Sequence, residues 1–219
     1  MPPAAAASVD RLERVDEVRE LQARIREMQA TKLDTRALDT APSVAGLLPG
    51  GSLRTGVAYS IEGSTSLAMA LMAGPSAAGA WCGVVGVPTF GTEAARAAGI
   101  DLERLALVPY PGDQWLPVTG ALADVLTVVL VRPPLTPSDA VTSRLMARLR
   151  ERGTTLIVLG RWPGAEARLE VRRSEWGGLG DGHGHLTSRR LTVEVSSRVG
   201  TPRNRQLQLP ARALSSLSA

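Results

Sequence analysis

The sequence predicts an α/β domain with a mainly parallel twisted sheet flanked by helices. Three observations carry that prediction. Between residues 44 and 160, five short apolar runs alternate with helix-like segments, the pattern of β-α-β units whose parallel strands are covered on both faces. Beyond residue 160, three strand-like runs follow with no helix between them, which predicts an antiparallel C-terminal extension at the sheet edge. Ahead of residue 44 lies a stretch with helical rather than strand periodicity. The expected division is therefore an N-terminal helix and linker over 1–43, a core with antiparallel edge strands over 44–212, and a flexible tail over 213–219.

Over Asp10 to Ala30, Leu12, Val15, Val18, Leu21, Ile25 and Met28 recur every three or four residues among Arg and Glu, giving an amphipathic helix. Ser8 is its candidate N-cap, and the pairs Asp10/Arg14 and Glu20/Arg24 support it at i,i+4 spacing. The stripe has two readings, packing on its own domain or docking a partner chain. Residues 31–43 have weak periodicity and contain Pro42, as a connector would. Expected parallel strands are Val57–Ile61, Trp81–Val87, Leu105–Val108, Leu126–Val131 and Thr155–Leu159. The helices between them are Ser64–Met72, Thr92–Ala98, Asp113–Ala123 and Pro137–Arg152. Thr136 is the expected cap of the last helix, with Pro137 in its first turn and Asp139 favouring its dipole. The expected edge strands are Arg168–Arg173, Leu191–Ser196 and Arg205–Leu209.

Composition bounds the function. At 219 residues, 44% hydrophobic and 21% charged, the chain is globular and not a disordered polyelectrolyte. No apolar run approaches the about 18 residues of a membrane span, and Met1 to Ala7 lacks the apolar core of a signal peptide. With a lone Cys82, no internal disulfide forms, and a cytoplasmic protein is expected. The 25 cationic side chains comprise one lysine, Lys32, and 24 arginines, so chemistry that needs a lysine must use Lys32. Between Thr187 and Arg212, six arginines face one acid, Glu194, an electrostatic footprint for phosphate-bearing or acidic partners.

In a doubly wound sheet the ligand lies beyond the C-terminal strand ends, and the first strand-to-helix loop cradles phosphate. Here that loop is Ile61-Glu62-Gly63-Ser64-Thr65-Ser66-Leu67. It offers Gly63 and the hydroxyls of Ser64, Thr65 and Ser66, but neither the second glycine nor the lysine of a P-loop. The run from Leu48 to Gly63, with Gly50-Gly51-Ser52-Leu53-Arg54-Thr55-Gly56, resembles the start of the ATPase core of RecA recombinases. Ala94 to Leu105, with Gly99-Ile100-Asp101-Leu102, and the strand Val125 to Val131 are similar to RecA's later segments. The resemblance implies a RecA-like fold whose catalytic glutamate falls near Gly86-Val87-Pro88-Thr89, where no carboxylate stands. RecA's Walker B aspartate falls at or beside Arg132, a reversal of charge that would repel Mg²⁺. With no phosphate clamp, metal site or water activator, no ATPase and no cofactor are expected.

A core of this size with degenerate nucleotide motifs resembles the ImuA-type (ImuA′) accessory proteins of the bacterial mutasome. That family implies a non-catalytic role in damage-induced translesion synthesis. It implies as partners an ImuB-like Y-family polymerase homologue and, indirectly, an error-prone C-family DNA polymerase and the sliding clamp. Partner binding through the N-terminal stripe is expected, and membrane binding is not. DNA is a further candidate partner, through Arg189 and Arg190, which follow a segment similar to RecA's second DNA-binding loop, and through Arg198, Arg203 and Arg205. For Arg198, Arg203 and Arg205 the alternative is a solvated edge. They could bind phosphate nonspecifically, but without aromatics in the tail base stacking has little support.

The Gly-rich stretch Gly177–His185 carries both histidines, His183 and His185, and reads as a connector, as half a metal site lacking two further ligands, or as a DNA-loop remnant. The four tryptophans are expected in core or edge packing, Cys82 as a buried small hydrophobe, and Asp101 with Glu103 as capping or solvated groups. A residual nucleotide-binding regulator is the remaining alternative.

Overall fold

The computed structural model describes residues 37–177, 188–197 and 201–210. A short helix, α1 (Pro42–Ala45), leads into the alternating units: β1 (Ala58–Glu62), α2 (Thr65–Ala77), β2 (Cys82–Val85), α3 (Thr92–Ala97), β3 (Leu105–Val108), α4 (Trp115–Ala123), β4 (Val128–Val131), α5 (Asp139–Arg152) and β5 (Thr155–Leu159). Three strands close the described chain: β6 (Ala167–Gly177), β7 (Ser188–Ser197) and β8 (Arg203–Pro210). Eight strands form one sheet in the order β8-β7-β6-β1-β5-β4-β2-β3. From β6 to β3 every pairing is parallel, and β6-β7 and β7-β8 are antiparallel. The architecture is the expected one: a mainly parallel α/β sheet flanked by helices, with the antiparallel extension at one edge.

The strands form where they do because both faces are covered. All of Val128-Val129-Leu130-Val131 and all of Thr155–Leu159 are buried, so alternation sorts their side chains between two cores. Val128, Leu130, Ile157 and Ile61 pack with Leu67, Leu71 and Met72 of α2 on one face. Val129, Val131, Leu156 and Val158 pack with Ala123 of α4 and Leu145, Met146 and Leu149 of α5 on the other. Leu191, Val193, Val195, Leu207 and Leu209 of the extension join the α2 face.

Several boundaries differ from the sequence expectation, each for a local reason. The second strand stops at Val85 because Gly86 turns at φ +70°. Its start is Cys82; Trp81 stands 51% exposed, and its carbonyl accepts from Thr127 and Val128 N–H. Leu126 lies in the turn that closes α4, its N–H bonded to the Leu122 carbonyl. Helix α2 runs on through Pro75 to Ala77 because Ala73, Pro75 and Ser76 are buried. A 3₁₀ turn, Gly112–Gln114, precedes α4. Helix α5 begins at Asp139 with Ser138 in the cap position, so Thr136 and Pro137 precede the helix; the Asp139 placement in the first turn is as expected. The edge strands are longer than their apolar cores suggest, because β6 and β7 pair out to Gly177 and Ser188.

Candidate functional site

The first strand of the alternating core ends at Glu62, and the chain turns at Gly63, where φ is +89°. A Cβ there would lie 3.3 Å from Cβ of Val171 on β6, so glycine is needed both for the turn and for the approach of the neighbouring strand. Ser64 follows in extended conformation as the N-cap of α2, its Oγ accepting from Leu67 N at 3.2 Å. One of the three loop hydroxyls is thus committed to ending the helix.

The other two meet arginines from different strands. Arg132, just past β4, donates from Nη2 to Thr65 Oγ1 at 3.4 Å. Arg189, on β7, donates from Nη1 to Ser66 Oγ at 2.9 Å and from Nε to Ser174 Oγ at 2.9 Å. Its guanidinium also lies 4.8 Å from the centroid of the Trp176 ring, a cation–π contact. Burial holds the Arg189 pKa below the ordinary arginine value, because the charged form loses water.

Beside these residues lies a cleft of about 400 Å³ lined by Glu62, Gly63, Ser64, Thr65, Arg132 and Gly160, with Ile61 and Leu159 behind them. Its carboxylate is already matched: Glu62 Oε1 is 2.6 Å from Arg168 Nε and 3.7 Å from Arg161 Nε. Arg132 in the lining, and Arg161 beside Glu62, carry positive charge beyond what that one carboxylate offsets. At the second strand end, Gly86-Val87-Pro88-Thr89 brings no carboxylate. A Cβ on Gly86 would stand 2.7 Å from the Arg132 carbonyl oxygen and 3.8 Å from Cγ of Pro111. The loops after β2, β3 and β4 therefore touch.

The arginines considered for DNA binding do not converge. Arg189 pairs with Trp176 and Leu209, on the face that meets α2. Arg190 occupies the opposite face, across from Glu175 and 4.0 Å from it. Arg203 and Arg205 are exposed near the other end of β8, opposite Val195 and Val193. Leu209, the partner of Arg189, lies six positions along from Arg203, about 20 Å of strand. The sheet face that carries Arg190 is interleaved with acids: Arg168–Glu170, Arg172–Glu170, Arg172–Glu194 and Arg173–Glu175 are all ion pairs. The acids of β6 lie beside the arginine-rich segment in space, though not in sequence. Arg198, the histidine stretch and the stripe of Leu12, Val15, Val18, Leu21, Ile25 and Met28 lie outside the described residues.

The remaining candidates have structural places. Cys82 is buried, its thiol pushed up to about 11 by burial. Asp101 caps a 3₁₀ turn, accepting from Glu103 N at 3.0 Å. Trp162 is in the core, whereas Trp81 and Trp176 are about half exposed. Among the described residues no three His, Cys, Asp or Glu side chains are grouped to hold a metal, and no helix is long and apolar enough to cross a membrane. Sequence reasoning missed the Glu62–Arg168–Arg161 cluster, which joins residues about a hundred apart, and the Trp176–Arg189 stack, which depends on the β6–β7 register; the one local signal was the acid set immediately before the loop glycine.

Three comparisons place the chain among known proteins. It is 36% identical over 174 residues to the uncharacterised protein Rv3395c of Mycobacterium tuberculosis, covering 77% of this chain and 83% of that one. It is similar in structure to the flagellar accessory protein FlaH of Methanocaldococcus jannaschii, at 13% identity and a TM-score of 0.47, over 74% of this chain and 87% of that one. A family model matches residues 46–164, from just after α1 to just after β5. On that match and that relative, the chain belongs to the MT3502 N-terminal domain family.

Proposed function

We propose that this chain is a non-catalytic RecA-like accessory protein of the bacterial mutasome. In this reading it binds an ImuB-like hub and so supports damage-induced, error-prone translesion DNA synthesis. The C-family polymerase and the sliding clamp are reached through the hub. The observation that carries the reading is the fate of the phosphate loop. Ser64 is spent as a helix cap, no lysine follows Gly63, and Arg132 stands over Thr65 where a metal-binding carboxylate would be needed. A cation cannot hold Mg²⁺, and phosphoryl transfer depends on a positioned metal and a phosphate clamp. What remains is a folded surface for binding.

Two measurements test this. The full-length chain and an ImuB-like hub should co-elute on gel filtration without nucleotide; failure to form a complex at micromolar concentrations sinks the recruitment role. Steady-state ATP hydrolysis should not exceed the buffer rate, with or without DNA. Turnover that disappears in a Thr65→Ala variant would reinstate an enzyme.

A further inference from the structure

The cleft at the phosphate loop and the apolar rim beside it form one surface, and we infer that it docks an acidic, apolar-flanked segment of a protein partner. The inference rests on the recruitment reading above and names the face that performs it. Tyr110 and Leu135 are the two most exposed large hydrophobic side chains among the described residues, at 81% and 79%. Both sit at the C-terminal strand ends, Tyr110 two residues beyond β3 and Leu135 four beyond β4. The contact of Gly86 with the Arg132 carbonyl, and its neighbour Pro111, bring those two loops together. Arg132 is thus shared: its side chain lines the cleft, and its backbone leads through Pro133 and Pro134 to Leu135.

Charge complementarity decides the occupant. One of the five N–H groups of Arg132 reaches Thr65, and Arg161 is 68% exposed at 3.7 Å from Glu62, which Arg168 already holds at 2.6 Å. The cleft therefore offers the Arg132 guanidinium to a carboxylate, with Arg161 beside Glu62 adding positive charge, and arginine makes paired, charge-assisted bonds to such a group. A free phosphate or nucleotide fits less well. Ser64 Oγ is turned to Leu67, a carboxylate forms part of the wall, and a phosphate would leave Tyr110 and Leu135 uncovered. Large exposed apolar side chains beside a polar cleft mark protein contacts. Pro111, Pro133 and Pro134 stiffen the rim, which lowers the ordering cost of binding.

The test uses the isotopically labelled full-length chain and two synthetic peptides, one alternating leucine with aspartate and one with asparagine instead. NMR titration should move the amides of Thr65, Arg132 and Leu135 with the aspartate peptide, and the asparagine peptide should bind at least about fivefold more weakly. Arg132→Glu should abolish binding, and Leu135→Ser should weaken it; Arg132→Gln, which keeps the side-chain length, guards against misfolding of the reversal variant. In parallel, Arg132→Glu should lower affinity for the hub by about tenfold or more. Equal shifts with both peptides, or none at these amides, overturn the inference. A hub complex indifferent to Arg132→Glu overturns it while leaving the recruitment role intact. A chain that binds the aspartate peptide but not the hub loses the recruitment role and keeps the surface. Inorganic pyrophosphate that moves the same amides and displaces the peptide would reassign the cleft to phosphate.

Discussion

Gly63 turns the backbone where β1 ends, against the neighbouring strand β6. Its φ of +89° and the 3.3 Å separation of a hypothetical Cβ from Val171 mean that Gly63→Ala strains the turn and presses on β6 at once. We expect a loss of about 1–3 kcal/mol in urea denaturation; a loss below about 0.5 kcal/mol would show that β6 moves aside freely. Thr154 is a second single-residue anchor. Its buried Oγ1 lies 2.6 Å from the Ala123 carbonyl and 3.0 Å from that of Leu126, tying the start of β5 to the end of α4. Thr154→Val keeps the shape but strands two buried carbonyls, which should cost about 1–3 kcal/mol by the same measurement. Sequence made the glycine of the loop visible but not its duty, because Val171 is more than a hundred residues away. The charge at Arg132 was legible as a reversal; that its guanidinium sits on Thr65 was not, since that contact depends on β4 lying two strands from β1.

Between elements, the caps and clasps decide how the loop is held. Ser64 closes the N-terminus of α2 through its bond to Leu67 N, and Ser64→Ala should cost about 1 kcal/mol. Thr136→Ala should be nearly silent in the same melts, because α5 starts three residues later. The sequence placed that helix correctly and its cap wrongly: Thr136-Pro137-Ser138 offers two hydroxyl candidates, and propensity alone does not choose between them. Arg189 ties the β6–β7 pair to the first turn of α2 through Ser66, Ser174 and Trp176. Arg189→Gln should speed hydrogen exchange at Ser66 and Thr65 and alter Trp176 fluorescence, while α5 stays protected. Asp124 links α4 to α5 through Arg148 and Arg152. The Arg148 hydrogen bond holds its carboxyl below the ordinary 3.8. Its folded pKa being depressed, its stabilisation is present above that ordinary value and lost as pH falls through the folded one. The wild-type melting temperature should therefore fall more steeply below about pH 4 than that of Asp124→Asn, with the two curves parallel above about pH 6.

For the molecule as a whole, the alternation of buried runs with helices was enough to yield the α/β class and the antiparallel edge. The charge distribution was less legible, because sequence proximity groups arginines that the sheet separates. Glu170 and Glu175 of β6 lie beside the arginine-rich β7 only after the strands pair, and Arg190 faces away from Arg189, Arg203 and Arg205. This bears on DNA directly. Each phosphate neutralised on duplex DNA contributes about −0.9 to the slope of log affinity against log salt. Arg189, Arg190, Arg198, Arg203 and Arg205 acting as one patch would give a slope near −4.5. A duplex meeting one face finds Arg203 about 20 Å and Arg205 about 13 Å along the strand from the clasped Arg189, and Arg190 beside Glu175 on the other face. Any DNA affinity should therefore show a slope no steeper than about −2 to −3 between 50 and 300 mM salt. A double change of Arg203 and Arg205 to Ser should flatten that slope by about 2, and Arg190→Ser should leave it alone. A measured slope near −4.5 would mean that the arginines act together on a phosphate backbone, and the DNA reading would then be favoured over the proposed recruitment.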